Sequence, residues 1–169
     1  NIAVYTGSES ANAYAGGIVG YAKQSDFIHC GNENGVISGA SDSAQNDALV
    51  GGIVGELEND GIIRQSYNTS KIYGQASVSG AYTGGIVGKT TSNSNTLSSI
   101  RDCYNQGQIY HSGSWLETAN VGGIIGFSSS TLNRCYNSGI VYANTNTVST
   151  ANLGGIAGSG ISSSSVSNS

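Results

Sequence analysis

Gly51-Gly52-Ile53-Val54-Gly55 decides how this chain is read, because the same Gly-Gly-Ile-x-Gly pattern stands again at 16–20, 84–88, 122–126 and 154–158. Successive first glycines, at Gly16, Gly51, Gly84, Gly122 and Gly154, are 35, 33, 38 and 32 residues apart. Self-similarity at a nearly fixed spacing is the mark of a repeat architecture, in which each copy is one structural unit stacked on the next.

Outward from each pentapeptide lies a second block, apolar-x-x-Cys-Tyr-Asn-x-Gly-x-Ile-Tyr, clearest at 100–110 and 132–142. The copy at 63–73 carries Ser66 in place of Cys, and the copy at 27–38 keeps Cys30, Asn32 and Gly35 with one residue added. From first glycine to Cys position the chain runs 14, 15, 19 and 13 residues, and from there to the next pentapeptide 21, 18, 19 and 19. Insertions therefore fall mainly in one arm, as at 90–99.

Apolar and polar residues alternate over short runs such as Gln108-Ile109-Tyr110, broken by Gly, Asn and Ser. That is the period of strands and turns, and the Ala, Leu, Lys and Glu that a helical repeat of this length needs are scarce. The sequence predicts an all-β fold, a parallel β-solenoid (β-helix) of about five coils with one repeat of ~33 residues per coil, spanning 1–169 as a single domain. Equivalent residues would then recur ~4.8 Å apart along the axis, so each repeat position becomes a ladder.

The composition sets limits on function. Only 9% of residues are charged, the net charge is −4 and no Lys/Arg cluster exists, which argues against nucleic acid. No run of 18 apolar residues suggests a membrane span, and the lack of an initiator Met or signal peptide suggests that the start has been removed. Glycine at 26 residues, no Pro or Met and a surface of Ser, Thr and Asn fit an exported protein of the bacterial cell surface, so an extracellular location is expected. The 37% hydrophobic fraction and 10 tyrosines supply the core that a disordered chain lacks.

The columns divide into structure and candidate sites. Ile18, Ile53, Ile86, Ile124 and Ile156, with Phe27, Ile63, Ile100 and Leu132, are expected inside. The flanking glycines are expected either to adopt positive φ or to let backbones approach closely. Five recurrences without a following Gly-Lys-Ser/Thr argue against a phosphate-cradling loop. Cys30, Cys103 and Cys135 share one column with Ser66; a line of thiols lacks the tetrahedral spacing of a zinc site, and two readings stand, buried free thiols or a Cys103–Cys135 disulfide. Asn32, Asn68, Asn105 and Asn137 are expected to form an amide ladder. Tyr67, Tyr104 and Tyr136, and Tyr73, Tyr110 and Tyr142, form two aromatic columns that either brace the sheet or offer a flat surface to a sugar.

Chemistry is thinly supplied. The carboxylates scatter, and the one dense run, 56–61, has Tyr67 where the closing Glu of a calcium loop belongs, so it is read as a solvated turn. With only His29 and His111 and no His-Glu-x-x-His, catalysis is not expected, nor any cofactor or metal. Thr145-Asn146-Thr147 has no counterpart in other coils, against an ice-binding array. Trp115, in the longest interval beside His111 and Glu117, either contacts a sugar or protein partner or covers the core edge.

Gly-Gly-Ile-Val-Gly followed by Cys-Tyr-Asn-x-Gly-x-Ile resembles the GLUG-motif repeats of bacterial surface adhesins and of the non-catalytic portions of immunoglobulin-A-cleaving zinc metallopeptidases. The resemblance spans nearly the whole chain and implies a cell-surface β-solenoid, with no catalytic residue carried over because the peptidase zinc motif is absent. Phase points the same way: 166–169 aligns with 135–138, and 1–5 with the segment around 139–142, so the ends are expected to complete one repeat. Two functions follow as expectations. One is a structural, self-associating module, stacking head-to-tail on itself or on neighbouring repeats of a longer chain. The other is an adhesin that binds a glycan or host protein through Tyr104, Tyr136, His111 and Trp115.

Overall fold

Short strands bounded by Gly, Asn and Ser, each unable to bury its apolar side alone, close into stacked turns. The computed structural model of the chain describes residues 3–8, 11–42, 45–77, 79–93, 97–113, 118–144, 150–160 and 166–167. After β1 (Ala3–Ser8), one turn consists of β2 (Ala13–Gly16), β3 (Val19–Lys23), β4 (Asp26–Ile28), β5 (Gly31–Asn32) and β6 (Val36–Ser41), and the pattern then repeats. Strands of successive turns pair into parallel sheets, here sheets I to V in the order of β2 to β6; among the described residues four of these five have five strands and sheet IV has four. The fold is an all-β parallel β-solenoid. The described residues form four complete turns flanked by partial ones rather than five, since their first strand lies in sheet V and their last, Val166–Ser167, in sheet III.

The register is the sequence repeat itself. Gly16, Gly51, Gly84, Gly122 and Gly154 are successive partners in sheet I, and Asn32, Asn68, Asn105 and Asn137 in sheet IV. Two large apolar clusters, with a small third one of Ala48, Ala76 and Ala81, fill the interior among the described residues. One, between sheets II and III, contains Ile53, Ile86, Ile124, Ile63, Ile100, Leu132, Cys103 and Cys135; the other, between sheets I and V, contains Val50, Val121, Ile37, Ile72 and Ile109. Each such side chain removed from water stabilises the fold by ~1.5–3 kcal/mol. At the outermost turns the same inward columns open. Ile18 is 48% exposed where Ile53 is fully buried, and Leu153 is 46% exposed where its column partner Val121 is fully buried.

The glycines serve close approach, not positive φ. A Cβ on Gly84 would lie 1.9 Å from the carbonyl oxygen of Val87, and one on Gly85 would lie 2.1 Å from that of Gly123 and 2.5 Å from Cγ of Asn105. The two halves of the repeat motif thus explain each other, since the second glycine makes room for the asparagine ladder. Left-handed backbone sits elsewhere, most regularly in a column just before the Cys position: His29, Gln65, Asp102 and Arg134 have φ of 55°, 52°, 54° and 49° and turn the corner from sheet III to sheet IV. Polar side chains tolerate this region better than β-branched ones.

Candidate binding groove

Ladders account for most of the conspicuous residues. Asn105 donates from Nδ2 to Oδ1 of Asn137 at 2.7 Å and to the carbonyl of Gly107 at 2.8 Å, while its Oδ1 accepts from Nδ2 of Asn68 at 2.7 Å. Asn32 donates to Asn68 at 3.1 Å. The three cysteines are free thiols, and the disulfide alternative is not formed. Cys103 donates to the carbonyl of Arg101 at 3.2 Å and Cys135 to that of Asn133 at 3.5 Å; Ser66 makes the same bond to Arg64 at 2.9 Å, which is why serine substitutes in this column. Hydrogen bonding to Cys135, then burial, pushes the Cys103 thiol up, so it is an unreactive group.

The proposed contact residues separate. Trp115 lies outside the described residues, as does its neighbour Glu117. His111 is fully buried, because alternation along its strand turns Ile109 and His111 inward and Tyr110 outward. Tyr104 and Tyr136 do stand side by side on the outside of sheet IV, with rings 5.3 Å apart and 8° from parallel. Tyr67 stacks equally on the other face of Tyr104 at 5.2 Å. Both faces of Tyr104 are therefore covered by neighbouring rings, and a sugar, which needs an open face, meets only its edge and hydroxyl.

A different place gathers polar and aromatic groups. The turn at the pentapeptide is so sharp that the outer sides of sheets I and II face one another across a crease. Its walls are two columns: Tyr14, Leu49, Tyr82, Asn120 and Asn152 on sheet I, and Tyr21, Glu56, Lys89, Phe127 and Ser159 on sheet II. The crease closes enough to bury Leu49 completely and to leave Glu56 only 8% exposed, although both point away from the core. The Tyr14 and Tyr21 rings meet edge to face at 5.5 Å, and Tyr82 and Phe127 at 5.9 Å. Lys89 lies over the Tyr82 ring, 4.3 Å from its centroid, and reaches Asp47 at 3.4 Å.

At one end the crease widens into a hollow of about 530 Å³ lined by Asn12, Tyr14, Tyr21, Glu56, Glu58, Thr91 and Asn93. Glu58 accepts from the Tyr21 hydroxyl and from Lys23 at 2.8 Å. The bond to Lys23, then that to Tyr21, holds its carboxyl below the usual range, and the same pairing pushes the Tyr21 hydroxyl up to about 12. Glu56 accepts the Thr91 hydroxyl on Oε1 at 3.1 Å, while burial pushes its carboxyl up against the opposing pull of Lys89. Its Oε2 has no donor among the described residues. These residues are hard to find from the repeat because neither column keeps one residue type through all its turns. The signal was positional: the residue just after each pentapeptide, and the residue two before it.

Among the described residues no three His, Cys, Asp or Glu side chains gather to hold a metal ion, and no helix is long and apolar enough to cross a membrane. Fold and crease together define the class, a parallel β-solenoid repeat protein with an outward-facing groove. No protein-family model matches the chain, and comparison with curated proteins and with solved structures finds no significant match.

Proposed function

We propose that this chain is a non-catalytic structural module of an extracellular bacterial surface protein or filament, associating end-on with further coils of another copy or of a longer chain. The observation that carries the reading is the repeated column cut open at both ends. Ile18 and Leu153 are about half exposed where their equivalents one turn inward are fully buried, so a further turn in the same register would bury them without any change in fold. The glycines supply the same clue. Gly52, Gly85 and Gly123 each lie within 2.1 Å of a neighbouring turn's glycine carbonyl if given a Cβ, whereas Gly155 meets nothing within 4 Å. The polar, weakly charged surface and the resemblance to GLUG-motif repeats support the cell-surface setting.

Sedimentation velocity and negative-stain imaging of the chain over a range of concentrations test this. End-to-end oligomers are expected, and Gly155→Ala, which leaves the single chain folded, is expected to weaken them by placing a methyl where the next carbonyl would sit. A chain that stays monomeric at high concentration, or a Gly155→Ala protein that associates equally well, overturns self-association.

A further inference from the structure

We propose that the hollow between sheets I and II, around Tyr14, Tyr21, Glu56 and Glu58, is a binding site for a neutral saccharide. This goes beyond the stacking function, because the crease runs along the side of the solenoid and not across its ends.

Three observations converge. The first is ring surface: Tyr21 is 44% exposed and is braced by Tyr14 at 5.5 Å, so its position is fixed without a parallel neighbour stacked over its face. The C–H side of a pyranose packs on such a face, and the tyrosine hydroxyl stays in a polar network. The second is acceptor capacity. Glu56, only 8% exposed as a residue, has one oxygen satisfied by Thr91; the other has no donor among the described residues and is not sealed from solvent, so the hollow's lining offers an acceptor that gains a charge-assisted bond from a sugar hydroxyl. The third is a mixed rim. Asn12 is fixed by donating to the Tyr14 hydroxyl at 3.0 Å, and Asn93 lies at the mouth with its backbone N–H held by Asn59 at 2.7 Å. Pockets with an apolar wall and a few convergent polar groups are the usual form of small-ligand sites, and the hollow's 530 Å³ falls within their size.

Charge selects among ligands. Glu58 is already paired with Lys23 at 2.8 Å, and Lys89 draws on Glu56, so a cationic ligand would compete with lysines in place. An acidic sugar would meet two carboxylates. A neutral polyol needs no counter-charge and uses the acceptors as they stand.

The test is saturation-transfer NMR on the wild-type chain with lactose, cellobiose, maltose and N,N′-diacetylchitobiose, and with glucosamine and galacturonic acid as charged probes. Binding of at least one neutral disaccharide is expected. Loss of one charge-assisted bond in Glu56→Gln should weaken it by about tenfold, Tyr21→Ala should abolish it, and Tyr136→Ala should leave it unchanged. Absence of binding by every neutral probe overturns the proposal, as does binding by the charged probes alone, or binding that survives both Glu56→Gln and Tyr21→Ala. Glu56→Gln preserves shape and the Thr91 bond, so it stands as the reading variant even where Tyr21→Ala perturbs folding.

Discussion

The Nδ2 group of Asn68 donates to Oδ1 of Asn105 at 2.7 Å and, with its other hydrogen, to the carbonyl of Ser70 at 3.0 Å. Oδ1 of Asn68 accepts in turn from Asn32 at 3.1 Å and from the N–H of Ser70 at 3.2 Å. Two donors and two accepting positions, the whole capacity of a carboxamide, are filled inside a fully buried site. Each rung therefore supports the turn above, the turn below and its own corner.

An interior rung should cost far more to remove than an outer one. Asn105→Leu removes four bonds, those with Asn68, Asn137 and the carbonyl and N–H of Gly107, and a loss of about 3–5 kcal/mol is expected, at roughly 1 kcal/mol per bond. Asn137, half-buried in the outer turn, should cost about half as much when changed to Ala. Chemical denaturation of both variants measures this; equal losses would mean that the ladder does not share load between turns.

Backbone proximity makes the second glycine of the pentapeptide irreplaceable in an inner turn. Gly85→Ala places a methyl 2.1 Å from the carbonyl oxygen of Gly123, and a loss of more than about 3 kcal/mol is expected because backbone on both sides must shift. Gly7→Ala, at a strand position with nothing within 4 Å, should be neutral or slightly stabilising. Thermal unfolding of the pair separates steric from conformational roles.

Thiol chemistry should follow burial. Cys30 is partly exposed and Cys103 and Cys135 are buried, so a thiol reagent added to the native chain should modify Cys30 first and the others only as the fold opens. Cys103→Ser should cost less than about 1 kcal/mol, since Ser66 already makes the equivalent bond at 2.9 Å and a weak thiol donor is exchanged for a hydroxyl. Mass spectrometry of labelled peptides against time gives the order.

Acid should act on the crease in two directions. The folded carboxyls of Glu58 in the crease and of Asp102 at the corner between sheets III and IV sit below their usual values, through Lys23 and through Arg134 respectively, so their stabilisation is present above the ordinary carboxylate range and is lost as pH falls through their lowered folded values. Burial raises Glu56, so its charged form opposes folding, and that contribution to stability is present at low pH and lost as pH rises through its folded value. Glu56→Gln should therefore be more stable than wild type near neutrality and converge with it below about pH 4. Melting temperature against pH for both proteins decides; a constant offset would place the effect outside Glu56 ionisation.

The fold was legible because register and repeat coincide. Where Asn105 must follow Asn68 in sequence it must also lie beside it in space, so motif counting amounted to strand pairing. Turn count was less legible: five pentapeptides mark five passes of one corner, not five closed turns. The glycines look alike in sequence, and only the carbonyl of Gly123 beside Gly85 shows that close approach, not positive φ, is what they serve. The crease was hidden because Tyr21, Glu56 and Lys89 share a column but no chemistry. His111 was read through its sequence neighbour Trp115, while strand alternation placed it inside.

Parallel pairing between turns also has a mechanical consequence. Strands run across the axis, so the bonds joining one turn to the next point along it. A pull along the axis loads those rows one after another rather than all at once, and turns should peel singly. Each released repeat of ~33 residues would add roughly 110 Å of chain. In a force-extension trace this gives evenly spaced steps of low force, and a single abrupt rupture would contradict it. A thread built this way yields progressively under tension, and each detached turn retains a template on which to re-form.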